Sequence, residues 1–202
     1  VGLYWRASSS FWDNQIAQSG LLDIYAGQYN SELNNITEKS FNKTSFSYNL
    51  VFRILQSQAW LANSFEISFR GQYSGEALAS FEQFSLSGPF AVRAVETGSF
   101  SADRGGVVTA QWYWQPPKNS YLSLRPYFFL DQATGEQLDS AEKVIDKAKI
   151  QGKGMGLDLQ LFNKFNFKLE WAQSSYIKQG LELIDQAEKQ SMFLAELNVS
   201  FN

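Results

Sequence analysis

The chain has neither cysteine nor histidine among its 202 residues. Without cysteine there is no disulfide framework, no thiol nucleophile and no thiolate metal site. Without histidine the commonest general base and the commonest metal ligand are missing. Triad hydrolysis and most zinc chemistry are therefore excluded. Charge is scarce as well: charged residues make up 18% of the chain, below the usual quarter. The net balance is −3, and no basic stripe marks a nucleic-acid face. No run approaches the ~18 continuous apolar residues of a membrane-spanning helix. The opening "VGLYWRASSS" lacks the basic and apolar regions of a secretory leader and starts directly on a strand-like run. The expectation is a piece or processed form of a longer gene product.

What the chain does have is aromatics, at 16%, beside a slightly negative mean hydropathy of −0.28. That combination fits strands with one apolar and one polar face. Phe46, Tyr48, Leu50, Phe52 and Ile54 alternate with Ser45, Ser47, Asn49 and Arg53. Phe65, Ile67 and Phe69 alternate with Glu66, Ser68 and Arg70. The same period recurs around Val108–Trp114, Leu122–Asp131, Leu157–Leu161, Phe165–Trp171 and Phe193–Phe201. Weaker candidates lie at Leu3–Ala7 and Leu21–Tyr29. These make about nine strands, most near the ~10 residues that cross a bilayer at a tilt.

A soluble β-sandwich also alternates. Two features favour a transmembrane antiparallel β-barrel, an all-β fold. The polar faces carry both signs of charge, as at Arg53, Glu66, Arg125, Asp131, Lys168 and Glu170, which suits a wet bore. The connections also alternate in length. Short ones fall at Gln56–Ala59, Gln115–Asn119 and Asn163–Lys164; long ones fall at Asn30–Asn42, Ser74–Gly105, Gln132–Lys153 and Ser174–Gln190. Barrels of the outer membrane have tight turns at one end and long loops at the other. Pro116 and Pro117 sit in a short turn, where no ladder bond is lost. Trp60, Trp112, Trp114 and Trp171 lie where an interfacial girdle would place them.

Sheets in lipid must close, because an open edge leaves backbone groups unpaired. Single-chain bacterial barrels generally use even strand numbers, so the whole chain, 1–202, is expected to be the C-terminal part of a larger barrel. Between two clean strands lies "SLSGPFAVRAVETGSFSADRGG", Ser85 to Gly106, an elaborate loop with Arg93 among apolar neighbours. Gly88 and Pro89 supply a tight bend.

The block from Gly71 to Trp114 resembles the transporter of two-partner secretion systems. This is the haemolysin-activator and filamentous-haemagglutinin transporter family, within the outer-membrane assembly-factor superfamily. The resemblance runs through Gly71 and Gln72, Gln83 and Phe84, Leu86 to Gly88, Val92 and Arg93, and Asp103 to Gly105. The aromatic-x-Asp strand of that family falls on "FFLDQA", with its aspartate at Asp131. Ser87, Ala94, Val95, Ala102 and Ala133 depart from the family pattern, and Asn202 follows the terminal Phe201.

The resemblance implies two periplasmic POTRA domains, absent from this chain, ahead of a barrel of about sixteen strands. It implies an outer-membrane pore that secretes, and thereby activates, one large exoprotein of the TpsA type. The implied surroundings are outer-membrane lipid and, during biogenesis, the barrel assembly machinery; nucleic acid, cofactor, metal and catalytic residues are not expected. The loop at 75–105 would fold into the pore as a lid. Arg93 would lock onto Asp131, Leu86, Gly88, Pro89, Val92, Asp103 and Gly105 would form the loop motif, and Phe201 would be the C-terminal strand signal. The residues allow that pairing independently, since Asp131 shares strand parity with Ser123 and Arg125. An insertase of the same superfamily, a passive porin or adhesin barrel, and a carbohydrate-binding sandwich stay open as alternatives.

Three further features have plain readings. "EQLDSAEKVIDKAKIQGKG" spaces Leu138, Ala141, Ile145 and Ala148 three or four apart, which predicts a short helix on an outer loop. The Asn35 and Asn42 sequons have no evident use in a bacterial surface loop. Glu182 and Asp185 are paired carboxylates without a base.

Overall fold

The computed structural model describes residues 2–12, 15–31, 36–54, 62–117, 121–162, 164–180 and 186–200. Nine long strands form one antiparallel meander: β1 (Gly2–Phe11), β2 (Ile16–Ser31), β3 (Ile36–Ile54), β4 (Asn63–Ser74), β7 (Arg104–Trp114), β8 (Leu122–Leu138), β9 (Val144–Leu161), β10 (Phe165–Gly180) and β11 (Gln186–Val199). Two short strands, β5 (Phe84–Ser85) and β6 (Ser101–Ala102), pair with each other inside the β4–β7 connection. The sheet is a curved section of a barrel wall and is not closed: among the described residues β1 pairs with β2 alone and β11 with β10 alone.

Alternation and register together sort the side chains onto two faces. A cross-strand row such as Phe65, Trp112, Phe128, Met155, Trp171 and Phe193 lies on the outer face, and all but the half-buried Phe65 are strongly exposed. In water such a band would cost about 25 cal/mol per Å² of apolar surface; in hydrocarbon it costs nothing. Trp171, expected near a strand end, sits mid-strand in β10. It stands instead at the last outward position before that face turns polar at Gln173 and Ser175. Trp112 and Trp114 stand toward the opposite, short-turn end. Trp60 lies outside the described residues.

Two expectations need correction. The stretch Glu136–Gly154 is not helical: β8 runs to Leu138, a tight turn follows, and β9 starts at Val144. In that turn Asp139 Oδ1 accepts from the backbone N–H groups of Ala141 and Lys143, and Glu142 takes a positive φ of 62°. The three- and four-residue spacing does not mark one face: Ala141 lies in the turn, Ile145 faces outward with Lys147 and Lys149, and Ala148 faces inward with Asp146 and Ile150. Ladder bonds across β8–β9 outweighed helix propensity. Three of the four long connections are also mostly strand. The β2–β3, β8–β9 and β10–β11 hairpins carry the ladder far beyond the apolar band. Among the described residues only the β4–β7 connection is a long folded loop.

Candidate functional site

That loop leaves β4 at Ser74 and lies against the inner face of β7–β10. Its apolar residues bury there: Leu86, Ala91, Val92 and Val95 pack with Ala102, Val107, Ala133 and Ile150. A turn at Gly88–Ala91 reverses the chain, with Ala91 N–H donating to the Gly88 carbonyl and Pro89 at the second position. Gly88 has φ 107°, and a Cβ there would meet Thr97. This position needs glycine.

The bed beneath the loop is cut by a row of glycines. Gly152, Gly154 and Gly156 occupy successive inward positions of β9. A Cβ on Gly152 would come within 2.8 Å of Val92, and one on Gly156 would overlap the Tyr127 ring. The missing side chains let Tyr127 and Phe129 of β8 lie flat against the wall. Ala94 then packs on Tyr127, Phe129 and Ala172, and its carbonyl accepts from Ser174 Oγ.

Three polar anchors hold the loop. At its base the Asp103 carboxylate is fully buried and accepts from Leu78 N–H (2.8 Å), Leu138 N–H (2.6 Å) and Gln83 Nε2 (3.1 Å). It ties the loop's first turn to the end of β8. Near the start of the loop, Lys43 of β3 pairs with Glu82, whose carbonyl also accepts from Gln72. Deepest lies Arg93, 7% exposed.

Arg93 meets two carboxylates, each at most 3% exposed. Its Nε and Nη2 donate to the two oxygens of Asp131 at 2.9 and 2.8 Å, a bidentate fork. Its backbone N–H donates to Asp131 Oδ2 at 3.2 Å, and Nη1 donates to Glu170 Oε1 at 2.9 Å. The guanidinium carbon lies 3.3 Å from the centre of the Phe129 ring. In the amide orientation that satisfies the network, Gln111 Oε1 accepts from both Nη groups at 3.0 and 2.9 Å. Lys168 adds a second cation, 3.2 Å from Glu170 Oε2, so two positive charges balance two negative ones. Burial opposes the charge on Arg93, but hydrogen bonds and attraction from Asp131 and then Glu170 outweigh it, and its pKa is raised.

Of the expected site residues, Arg93 and Asp131 are brought into direct contact. Leu86 and Val92 are core residues of the loop, Asp103 its base, and Gly105 the second residue of β7. Pro89 and the strongly exposed Phe90 form the turn. Phe201, Asn35, Glu182 and Asp185 lie outside the described residues. Sequence reasoning missed the part played by Glu170, Gln111 and Phe129. Glu170 was legible as an inward residue by parity. The "GKGMG" row at one strand parity was the available sign that something presses on that wall.

Two features of the geometry bear on chemistry. A cation and two carboxylates pinned by ring and backbone are built to hold position, and no nucleophile, base and oxyanion donors converge among the described residues. The family model of the haemolysin secretion/activation protein ShlB/FhaC/HecB matches residues 6–159, three quarters of the chain. No curated protein and no solved structure matches.

Proposed function

The chain belongs to the haemolysin secretion/activation protein family ShlB/FhaC/HecB, and from that membership we propose an export channel whose folded loop acts as its lid. Proteins of this family are outer-membrane transporters of two-partner secretion. The finer reading is that this one passes a single large exoprotein in unfolded form and activates it by doing so. We take the nine strands as part of a larger cylinder of about sixteen, completed by further strands of the same protein. Two POTRA domains on the periplasmic side and the barrel assembly machinery complete the proposal.

One observation carries it: a buried arginine on an internal loop, bound at once to Asp131 on β8 and Glu170 on β10. A loop pinned in this way narrows the bore until the contact is broken. Breaking a buried pair by removing one partner costs about 3–5 kcal/mol, largely because the other charges are stranded. That is enough to hold the loop in one place, and it can be released when a polypeptide competes for the same wall. Export would draw its energy from folding of the partner outside the cell.

The test is Arg93→Ala in the full-length protein. Secretion of the partner should fall about tenfold or more, while the amount of folded barrel changes less than about twofold. Undiminished secretion would remove the lock. Deleting Ser85–Gly105 separates the channel from a porin: planar-bilayer conductance should rise sharply with a lid and stay unchanged with none. Depletion that lowers many barrels at once, instead of one exoprotein, would favour the insertase.

A further inference from the structure

The outward face of β9, β10 and β11 carries a feature the export reading does not use. Three rows cross these strands in register. The first is apolar: Trp112, Phe128, Met155, Trp171 and Phe193. The next is mixed: Ala110, Leu130, Lys153, Gln173 and Ser191. The third is polar apart from Val108: Gln132, Gln151, Ser175 and Lys189. A groove of about 470 Å³ lies over the second and third rows. Its β7–β8 end is floored by Val108, Ala110 and Leu130, and its β9–β11 end by Lys153 and Lys189.

Charge on this face is one-sided. Beyond the apolar band, the outward positions of β9 are Lys153, Gln151, Lys149, Lys147 and Ile145, and those of β10 and β11 within the described residues include no carboxylate. Glu136, outward on β8, is occupied by Arg104 and Lys147. Among the described residues no carboxylate forms an ion pair with Lys149, Lys153 or Lys189. Asp131 borders the groove through its backbone position, with its carboxylate turned inward to Arg93. Exposed lysines on a surface without acids have no intramolecular reason to cluster.

Their position supplies one. Strand rows run obliquely to the membrane because barrel strands tilt by about 35–45°. A lipid standing upright would therefore cross the rows, with its chains over Leu130, Met155 and Trp171 and its headgroup over Lys153, Gln173 and Lys189. Lys153 and Lys189 lie two strands and two residues apart, about 12 Å between Cα atoms. Their long side chains can reach one headgroup bearing more than one phosphate.

We propose that this groove binds a phosphorylated anionic lipid of the leaflet on the long-loop side. Lys153 and Lys189 neutralise its phosphates, Gln132, Gln151 and Gln173 donate hydrogen bonds, and the Ala110–Leu130 floor takes an acyl chain. The inference rests on the outer-membrane location and not on the export reading.

Native mass spectrometry of the full-length protein, with added bisphosphorylated lipid A as the probe, measures the retained lipid. Wild type should hold it against detergent exchange, Lys153→Gln/Lys189→Gln should weaken it about tenfold, and Lys153→Gln alone about threefold. Lys153→Arg/Lys189→Arg should stay close to wild type, since charge and not ammonium shape is required. Lys164→Gln, at the short-turn end, should change nothing. Phosphatidylcholine should not be retained. Equal retention of lipid A by the double glutamine variant, or equal retention of phosphatidylcholine, would overturn the site. Displacement of lipid A by millimolar inorganic phosphate would reassign the groove to a free ion and overturn the lipid assignment.

Discussion

The inner face of this sheet is one continuous surface, yet its two ends behave as different materials. Across β8–β10 the inward positions are Tyr127, Phe129, Asp131, Ala133, Ile150, Ala172 and Ser174, all buried by the folded loop. Across β1–β3 they include Tyr4, Arg6, Ser8, Ser10, Ser19, Ser47 and Asn49, exposed or half-buried. Both sets obey the same alternation. The difference lies in what fits above them: glycine, alanine and rings pressed flat where the loop lies down. Where nothing among the described residues covers the wall, the side chains are mostly short and polar, with Tyr4 and Arg6 standing free of the loop. Periodicity tells which residues share a face, and side-chain volume tells what covers it.

Four substitutions would break or sharpen that contrast, in falling order of effect. Asp103→Ala should be the most damaging, because it leaves the buried N–H groups of Leu78 and Leu138 without an acceptor. Each such group costs about 1–3 kcal/mol. Hydrogen exchange across 78–102 should accelerate strongly, and Asp103→Asn should recover part of the protection by keeping an acceptor. Unchanged exchange in Asp103→Ala would show that the loop base is held by packing alone.

Gly156→Val comes next. It drives a branched side chain into the Tyr127 ring, and overpacking of this kind costs about 1–3 kcal/mol. The urea midpoint of the folded barrel should drop, and the Tyr127→Ala background should relieve most of the loss. Phe129→Leu removes the ring beneath the Arg93 guanidinium while keeping bulk; its expected cost is about 1–2 kcal/mol. That loss should shrink sharply in an Arg93→Ala background. The smallest effect belongs to the wet half: Ser19→Ala should stay within about 0.5 kcal/mol in the same urea titration. A drop as large as that of Gly156→Val would erase the distinction between the two ends.

Much of this architecture was readable beforehand, for identifiable reasons. Nine strands, their inward and outward sets and the side holding Asp131 all follow from a period of two, which tertiary context cannot easily override. The lengths of β8–β11 did not follow. Beyond the apolar band both faces are polar, so alternation fades although the ladder continues. Lys147, Lys149 and Gln151 then read as loop or helix. Glu170 shows the other limit. Parity put it in the bore, but only the path of the loop shows that it takes the third side of the Arg93 fork, and that path depends on packing among Leu86, Val92 and Ile150.

The long hairpins carry a consequence for whatever leaves the bore. On β9 the unbroken run of apolar outward residues ends at Met155, while the strand itself continues to Val144. At about 3.3 Å per residue and a tilt near 40°, that surplus raises the wall roughly 28 Å above the apolar band. The exit is thus a chimney and not a hole flush with the roof. A polypeptide emerging from it meets open water first, well clear of the greasy plane on which a half-folded chain would otherwise stick.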